Sequence, residues 1–422
     1  MMNYNMAMEK MEQIAKKGSI LGLEPVRILC ELLGNPQDKV KVIHIAGTNG
    51  KGSILAYLES VLLEGGYKVG KYSSPTLFSY LERFMINNEA MSEEDFATYF
   101  TKAEGYLRKM EQRNEPLPTA FEVETAIAFD YFAENQVDVV LLETGMGGET
   151  DATNIVKCPV CTVISSVAMD HMAVLGSTLE EIAKKKAGII KEKVPVVLAP
   201  NQKEEAMQVI FERAKEKEAP FYQAFMPRLQ DFSLKKQSFL IPETGAGYEI
   251  SLLGTHQPEN AATALKVLEV VKEIFPLNQV QIRVGLKKTK WKARFEVIRQ
   301  QPLVIRDGAH NENAALRLRE SLQKYFTKPE FIYIMGVLRD KEYEKIVDIM
   351  APMTNLVYVI APKNERALAA EELKSVWEKQ GKKVIVAKDA KDALKQALHS
   401  YEGQTGILCF GSLSFMAELE DL

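Results

Sequence analysis

The stretch VKVIHIAGTNGKGS, residues 40–53, constrains the fold of this chain more than any other segment. A short apolar run typical of a β-strand leads into a glycine-rich turn, and the sequence ILAYLESVLLEGG that follows is typical of a helix. Gly47, Gly50 and Gly52 let the backbone approach a ligand and adopt dihedral angles that other residues avoid. Backbone N–H groups of the turn and the amino end of the helix then face an anion. The pattern predicts a strand, a phosphate-binding loop and a helix.

Two side chains of this loop suit a polyphosphate. Lys51 brings a positive charge to the terminal phosphates, and Ser53 can place its hydroxyl on magnesium. The strict pattern GxxxxGK[ST] is not met, because Ile45 stands where the first glycine belongs and Gly52 separates the lysine from the serine. The alternative is a plain strand–turn–helix whose glycines serve only the turn. A lysine inside such a turn has little structural purpose, which favours the phosphate loop.

Length and charge limit the class of protein. At 422 residues the chain predicts two or three domains, since single cores stop growing near ~250–300 residues. A net charge of −4 argues against a general nucleic-acid binder, but it is compatible with a local basic pocket for an anionic substrate. No apolar run approaches the ~18 residues of a membrane span, and the polar amino-terminal stretch lacks the apolar core of a signal peptide. The four cysteines fit a reducing cytosol, with the CxxC at 158–161 predicted as buried thiols, so we expect a cytoplasmic protein.

Strand-like and helix-like stretches alternate along the first two thirds of the chain. The apolar runs at 137–143, 161–167 and 194–199 are typical of buried parallel strands, with helical patterns between them. This alternation predicts an α/β fold with a mostly parallel sheet covered by helices on both faces. Residues 221–256 are short, polar-interrupted and turn-rich, and they predict a small antiparallel patch.

A second α/β pattern begins after residue 297. Five strand candidates alternate with helical segments there, which predicts a smaller Rossmann-like domain. We place the boundary near residues 296–302, giving domains 1–297 and 298–422.

Acidic and imidazole side chains follow two of the predicted strands. Glu143 ends one strand and begins ETGMGG, whose glycines let the backbone turn away while the carboxylate reaches a metal; the alternative is a solvated glutamate. His171 follows another strand, next to Asp170. A lone histidine is more often structural than a ligand, but beside Glu143 and a phosphate loop both interpretations stay open.

Three further features are weaker. Ser74 ends a strand-like run and could supply an oxygen to magnesium, or it could be a turn residue before proline. The run Lys184–Lys186 precedes AGIIK, and its spacing alone favours a solvated helix face. In the second domain, Asp307 and His310 follow the strand PLVIR, and Arg294 lies at the domain junction. An acid, an imidazole and a guanidinium near one seam suit a nucleotide held between two domains.

Many segments in order give the chain a family resemblance. Together they resemble the folylpolyglutamate synthase/dihydrofolate synthase family of ATP-dependent Mur-type ligases. The matching segments are LGNPQ (33–37), HIAGTNGKGS (44–53), SSP (73–75), LERFMIN (81–87), AFEVETAIAF (120–129), ETGMGG (143–148), DATN (151–154), DHM to KAGIIK (170–191), HQPENAATAL (256–265), RFE (294–296), DGAHN (307–311) and MGVLRDK (335–341).

The resemblance implies site residues, ATP and Mg²⁺. The ATP loop would consist of Thr48, Asn49, Gly50, Lys51, Gly52 and Ser53. Ser74 and Glu143 would hold a first magnesium ion and His171 a second. Lys186 would be carbamylated, which turns a cation into an anion that can bind or orient around a metal. Asn260, Arg294 and Asp307 would contact ATP across the domain seam, with His310 nearby, and the family suggests a monomer.

The chain departs from the family pattern at two places. The family often has Pro-Gly-Arg where this chain has Lys292-Ala293-Arg294. Because alanine adopts a positive φ only at a cost, the local backbone is expected to differ there. The stretch before DATN is GGETD rather than GG-Arg-x-D, which removes a cation near the site.

The implied reaction joins L-glutamate to the γ-carboxylate of a folate through an acyl phosphate. Joining glutamate to dihydropteroate, at a site near GLEP (22–25) and TAFE (119–122), stays open beside it. One rival is a Mur-type ligase acting on a UDP-linked cell-wall precursor, although the SSP, LERFMIN and KAGIIK segments favour folate. The other is a nucleotide switch that ligates nothing, although the base-reading motif [NT]KxD of GTPases has no match at Thr289 or Asn364.

Overall fold

A computed structural model describes residues 2–16, 18 and 22–420 of the chain. The chain forms two compact units. Unit 1 comprises Met1–Met226, Ile241–Glu243 and Glu259–Lys288, and unit 2 comprises Pro227–Leu240, Thr244–Pro258 and Thr289–Leu422.

Unit 1 is built on a mostly parallel sheet. Its strands are β1 Val42–Ala46, β2 Val69–Tyr72, β3 Phe84–Ile86, β4 Glu89–Ala90, β5 Val139–Glu143, β6 Cys161–Ile164, β7 Val196–Leu198 and β8 Phe221–Gln223. They lie in the order β4-β3-β2-β5-β1-β6-β7-β8, with β3 and β4 antiparallel at one edge. The parallel sheet expected from the alternating apolar runs is confirmed. The antiparallel patch was predicted to begin at residue 221, but β8 joins the parallel sheet beside β7.

Strand β1 lies in the middle of this sheet with all five of its residues buried. It pairs in parallel with β5, where Ile45 is opposite Glu143, and with β6, where Ala46 is opposite Ile164. The segments that follow these three parallel strands therefore all begin at the carboxyl ends of the strands, on one side of the sheet. Ligands bind at the carboxyl ends of strands in such folds.

Helices cover both faces of the sheet. They are α1 Tyr4–Ala15, α2 Glu24–Leu32, α3 Lys51–Glu64, α4 Glu93–Gln112, α5 Ala120–Glu134, α6 Met172–Leu175, α7 Leu179–Ala187, α8 Glu204–Glu216, α9 Gln257–Val270 and α10 Gln279–Lys288. Helices α1, α2, α4 and α5 share a core with Val140 and Leu142 of β5. Successive strand residues point to opposite faces, so Val139 and Leu141 face the side on which α3 and α10 pack together.

The structure also contains short 3₁₀ helices and a small antiparallel sheet. The 3₁₀ helices are Pro36–Asp38, Tyr80–Arg83, Ala152–Ile155, Ala351–Met353 and Leu413–Leu419. The small antiparallel sheet predicted within 221–256 is formed by β9 Arg228–Phe232, β10 Gln237–Ile241 and β11 Ala246–Ile250, in the order β11-β10-β9.

Unit 2 contains the second sheet. Its strands are β12 Glu296–Gln300, β13 Leu303–Arg306, β14 Phe331–Met335, β15 Leu356–Val359, β16 Lys383–Val386 and β17 Gly406–Phe410. The order is β12-β13-β17-β14-β15-β16, parallel except for β12. The helices are α11 Glu312–Tyr325, α12 Tyr343–Met350, α13 Ala370–Lys379 and α14 Ala390–His399. All five predicted strands are present, and the Rossmann-like α/β expectation is confirmed. Within the described part of the chain, no helix is long and apolar enough to cross a membrane.

Candidate active site

The loop between β1 and α3 has the backbone that its glycines predict. Gly47 has φ 151° and Gly50 has φ 90°, both in the region that favours glycine. A Cβ on Gly47 would lie 1.8 Å from Ser165 Oγ, so a side chain does not fit there. Gly50 is the N-cap of α3 and brings no side chain to the first turn of the helix. The amino end of a 14-residue helix is thus presented to the loop, which suits an anion.

The segment after β6 is hydrogen-bonded to this loop. The N–H of Thr48 donates to the carbonyl of Ser166 at 2.8 Å, and the Thr48 hydroxyl donates to the carbonyl of Ala168 at 3.0 Å. The N–H of Ala168 lies 3.1 Å from the same hydroxyl. About 120 residues of sequence separate the partners of these bonds. They meet because β6 pairs directly with β1, so the segments that follow the two strands lie next to each other.

Lys51 curls back over the loop that precedes it. Its Nζ donates to the carbonyls of Gly47 and Thr48 at 3.1 and 3.4 Å and lies 3.8 Å from Glu143 Oε1. Both side chains are largely buried, at 16% and 8% exposure. Lys51 and Glu143, which follow and end neighbouring strands, therefore lie side by side at the carboxyl ends of β1 and β5.

The amine of Lys186 contacts the same glycine loop as that of Lys51. It lies on the last turn of α7, is 3% exposed, and its Nζ donates to the carbonyl of Gly47 at 2.9 Å. Burial, followed by the positive charge of Lys51, lowers the pKa of Lys186 to about 7. The solvated face favoured by the spacing of Lys184–Lys186 is wrong for this residue. Lys184 is exposed, and Lys185 pairs with Glu149.

The turn after Glu143 packs against the helix that carries Lys186. The N–H of Glu149 donates to the carbonyl of Lys185 at 2.8 Å. A Cβ on Gly148 would lie 2.9 Å from the carbonyl oxygens of Lys185 and Lys186, so only glycine allows this approach. The glycines of ETGMGG thus bring the backbone close to α7.

Asp151 stabilises the same turn, the one after Glu143, at its carboxyl end. Its buried carboxylate accepts the N–H of Met146 at 2.8 Å and the N–H and hydroxyl of Thr153 at 3.1 and 2.5 Å. Thr153 Oγ1 also lies 2.8 Å from Nε2 of the buried His44 on β1. The sequence alone gives Asp151 no role, although Asp is a favoured residue immediately before a helix, and the 3₁₀ helix Ala152–Ile155 begins after it.

His171 lies on the segment that leaves β6. Its backbone has φ 49°, its side chain is 37% exposed, and its Nε2 is 3.9 Å from the carboxylate of Asp170. Asp170 raises the pKa of Lys186 against the larger effects of burial and Lys51, so this acid is close enough to act electrostatically on Lys186.

Side chains with oxygen atoms of the kind that magnesium prefers follow or end strands of this sheet. Ser74 follows β2, which pairs with β5 so that Tyr72 is opposite Leu142, and Ser53 lies in the first turn of α3. Together with Glu143 they offer two hydroxyls and one carboxylate. Magnesium commonly binds through one or two carboxylates, waters and substrate phosphates. In the described ranges, His, Cys, Asp and Glu side chains form no group of three or more that could hold a metal.

Asn260 of α9 lies against the phosphate loop. A Cβ on Gly50 would be 2.5 Å from Asn260 Oδ1, so the amide occupies the space that the glycine leaves open. The family motif had indicated Asn260, and the structure places it beside the predicted nucleotide loop.

Unit 2 brings the other predicted residues together. The Asp307 carboxylate accepts the N–H groups of Phe295 and Ala309 at 2.7 and 2.8 Å. Burial raises its pKa, and the Arg294 charge opposes this. A Cβ on Gly308 would lie 2.3 Å from Arg294 Nη1, and His310 Nδ1 lies 2.7 Å from the carbonyl of Gly308. Arg294, Asp307 and His310 thus surround one turn after β13.

Ala293 keeps a backbone conformation that glycine would adopt easily. Its φ is 55°, and Phe295, two residues on, has φ 44°. For an L-residue this region costs roughly 1–2 kcal/mol. The carbonyl of Ala293 accepts the N–H of Gly308 at 2.9 Å, and its N–H donates to Glu296 at 2.7 Å. These bonds hold Ala293 in the left-handed region in spite of the cost that this region has for alanine.

This strain predicts an unusual response to glycine. Ala293→Gly removes a buried methyl but also the cost of positive φ, so we expect the unfolding free energy to change by less than about 0.5 kcal/mol. Ala315→Gly, in the interior of α11 and equally buried, should lower it by about 1–2 kcal/mol. Urea-induced unfolding of both variants measures the difference. Equal destabilisation would contradict a strained Ala293.

Comparison with known proteins gives matches along most of the chain. A model of the Mur ligase middle domain matches residues 45–268, and a model of the Mur ligase glutamate ligase domain matches residues 293–413. The chain is 35% identical over 412 residues to the dihydrofolate synthase/folylpolyglutamate synthase of Bacillus subtilis, covering 94% of each protein.

Solved structures resemble the chain over its full length. A Mycobacterium tuberculosis folylpolyglutamate synthase complexed with ADP and AMPPCP has a TM-score of 0.89 at 27% identity, covering 100% of this chain and 99% of that one. An FPGS–AMPPCP–folate complex has a TM-score of 0.85 at 30% identity, covering 99% and 98%.

Proposed function

The chain belongs to the folylpolyglutamate synthase/dihydrofolate synthase family of Mur ligases, and on that premise we propose that it is an ATP-dependent ligase that adds L-glutamate to the γ-carboxylate of a folate. One observation carries the proposal for this molecule. Lys51, Glu143 and Lys186 meet at the glycine loop, where a nucleotide phosphate would lie. A relative captured with AMPPCP and folate supports both substrates.

The reaction needs ATP because a carboxylate has no good leaving group. The folate carboxylate attacks the γ-phosphorus of ATP, ADP leaves, and an acyl phosphate forms. The amine of glutamate then attacks the acyl carbon, phosphate leaves with the C–O bonding pair, and the amine loses a proton as the amide forms. In the first step two anions approach each other. Lys51 offsets this repulsion and stabilises the charge on the transferring phosphoryl group.

Magnesium would be held by Ser53, Ser74 and Glu143, with His171 and a carbamylated Lys186 at a second position. When bound, it neutralises phosphate charge and orients the phosphoryl group for transfer. The chain's own contribution is to keep these donors in place, through the Asp151 bonds to the turn after Glu143 and the Ser166 bonds to the loop.

The buried amine of Lys186 is suited to carbamylation. CO₂ adds only to a neutral amine, and a lysine whose pKa is about 7 is half neutral near that pH. The addition forms an N–C bond and releases the amine proton, so a buried cation becomes an anion. We propose that this carbamate faces the metal and phosphate positions beside Gly47.

Carbamylation should therefore depend on pH. Below about pH 7 the amine is protonated and unreactive, and above it the neutral form dominates, so uptake of ¹³CO₂ at fixed dissolved CO₂ should rise between about pH 6 and about pH 8. The carbamate carbon is followed by ¹³C NMR, with Lys186→Ala as the control that lacks the signal. A signal independent of pH over this interval would contradict the neutral-amine mechanism.

Other residues are assigned from the family motifs. Asn260 would contact ATP beside Gly50. We assign Arg294 and Asp307 to nucleotide contacts and His310 to their vicinity on the strength of the motifs alone. We also propose that residues 1–297 bind ATP and folate and that residues 298–422 bind glutamate. The chain is further proposed to act as a cytoplasmic monomer that binds neither nucleic acid nor membranes.

A second activity is favoured by one observation in unit 1. The Glu122 carboxylate accepts the N–H of Thr119 at 2.7 Å, and the backbone N–H of Val26, the residue after GLEP, opposes the rise in its pKa that burial causes, so the TAFE segment lies beside the GLEP segment. The ring of Phe121 lies 2.7 Å from where a Cβ on Gly145 would be, beside the turn after Glu143. We propose that dihydropteroate binds near these segments and is joined to glutamate by the same chemistry.

Substrate incubation tests both activities. The enzyme is incubated with ATP, glutamate and either tetrahydrofolate or dihydropteroate, and the products are identified by mass spectrometry. A glutamate adduct of each substrate supports both proposals, and an adduct of tetrahydrofolate alone removes the second. Turnover of UDP-muramyl substrates without folates would replace folate by a cell-wall precursor. ATP hydrolysis that no acid–amine pair stimulates would support a nucleotide switch.

A further inference from the structure

Arg306 links the turn that carries Arg294 to the carboxyl-terminal end of the chain. It is the last residue of β13 and only 1% exposed. Its Nε and Nη2 donate to the two oxygens of Glu296 at 2.8 and 3.2 Å. Its Nη2 also donates to Glu420 at 2.7 Å, and its Nη1 donates to the carbonyl of Met416 at 3.1 Å. A buried guanidinium with this many partners holds all of them in fixed positions.

Two of these partners belong to the segment Leu413–Glu420, which we call the C-terminal brace. It consists of the 3₁₀ helix Leu413–Leu419 and the residue after it. Phe415, Met416 and Leu419 are buried, so the brace packs on unit 2 by its apolar side. Glu420 also pairs with Lys292, the residue before Ala293.

The brace reaches Arg294 by two routes. Along the first, Arg306 holds the Glu296 carboxylate, which accepts the N–H of Ala293 at 2.7 Å; Arg294 Nη1 in turn donates to the carbonyl of Ala293 at 2.9 Å. Along the second, Gly308 is the point of contact. A Cβ placed there would lie 2.6 Å from Leu413 Cδ2 and 2.3 Å from Arg294 Nη1.

The left-handed backbone on both sides of Arg294 explains why a brace is needed. Ala293 and Phe295 both have positive φ, a conformation that persists only where surrounding contacts enforce it. The enforcing contacts are the bonds to Glu296, Asp307 and Gly308, and Glu296 is itself held by Arg306.

We propose that the C-terminal brace, acting through Arg306 and Glu296, is a positioning device that aims the Arg294 guanidinium at the nucleotide. The inference rests on the proposed role of Arg294 in binding ATP. Glu420, Arg306 and Glu296 are positioning residues, since they act through Arg294 and touch no reacting atom. Weakening the brace lowers the fraction of molecules in which Arg294 is correctly aimed, and this lowers apparent affinity for ATP.

The test variant is Glu420→Gln, which removes one charge at the rim of the brace and leaves the bonds of Arg306 to Glu296 and Met416. We expect KM for ATP to rise roughly three- to fivefold, with kcat and KM for glutamate little changed. Glu418→Gln is the matched control, because Glu418 lies in the same brace but pairs with Lys363 at 3.2 Å. It should leave KM for ATP unchanged.

A double variant separates this inference from the function on which it rests. Arg294→Ala alone should raise KM for ATP, and Glu420→Gln added to it should have no further effect. If Arg294→Ala leaves KM for ATP unchanged, the proposed nucleotide contact is wrong. If it raises KM but Glu420→Gln does not, or if the two effects multiply, the brace does not act through Arg294 and the inference is overturned.

Thermal unfolding is measured for every variant, so that a change in the orientation of Arg294 can be distinguished from a loss of folded protein. Should Glu420→Gln fail to fold, Glu296→Gln is tested in its place, because its amide oxygen can still accept the N–H of Ala293 while the charge facing Arg306 is lost. The same rise in KM for ATP is expected, and its absence in a folded Glu296→Gln protein would overturn the proposal.

Discussion

Replacing Lys51 by alanine is expected to abolish ATP-dependent glutamate addition, lowering kcat by at least about a thousandfold. The Nζ of Lys51 lies over the glycine loop, within 3.1 Å of the Gly47 carbonyl and 3.8 Å from Glu143. Formation of the glutamate adduct and of ADP are measured together, so that lost ligation is not confused with uncoupled hydrolysis.

A matched control lies at the other end of the same strand. Lys41 precedes β1, and its Nζ lies 5.6 Å from the centroid of the Phe275 ring. Lys41→Ala should leave turnover nearly unchanged, which shows that the loss in Lys51→Ala comes from the loop. Near-normal turnover in a folded Lys51→Ala protein would sink the assignment of this loop to ATP.

Replacing Lys186 by alanine should lower kcat by about a hundredfold or more, because the variant has no amine to carbamylate. Short carboxylates such as formate or acetate should restore part of the activity in a concentration-dependent way, since they can supply the missing anion. The measurement is adduct formation at increasing carboxylate concentration. Wild-type protein should show no such stimulation.

The neighbouring lysine provides the control for this second experiment. Lys185 lies one residue earlier on α7, is 42% exposed, and pairs with Glu149 at 2.8 Å. Lys185→Ala should change kcat by less than about twofold. The carbamate proposal would be abandoned if Lys186→Ala kept wild-type activity, or if saturating carboxylate gave no recovery in a folded variant.

The local pattern of the sequence was enough to predict the elements that carry the site. The apolar run before Gly47 became the buried central strand, and the lysine of the glycine turn became the first residue of α3. Glu143 was expected at a strand end and occupies one. These predictions succeed because a buried strand and a glycine turn depend on neighbours in sequence, which a local pattern records.

Other features depend on contacts between distant residues. The spacing of Lys184–Lys186 favoured solvent, yet Lys186 is buried against Gly47, some 139 residues away. Strand β8 was assigned to an antiparallel patch, because nothing in its three residues reveals that β7 is its partner. Asp151 and Arg306 hold several backbone and side-chain groups at once, and the sequence around each does not indicate those partners.

The sequence by itself determined the class of fold, the unit of strand, glycine turn and helix, and the family, since each is encoded in residue order over short windows. Only the tertiary structure decided which lysine is desolvated, which turn is held at positive φ, and which residues the C-terminal brace contacts. Burial and electrostatic environment are properties of packing, and packing joins residues whose separation along the chain has no fixed relation to their separation in space.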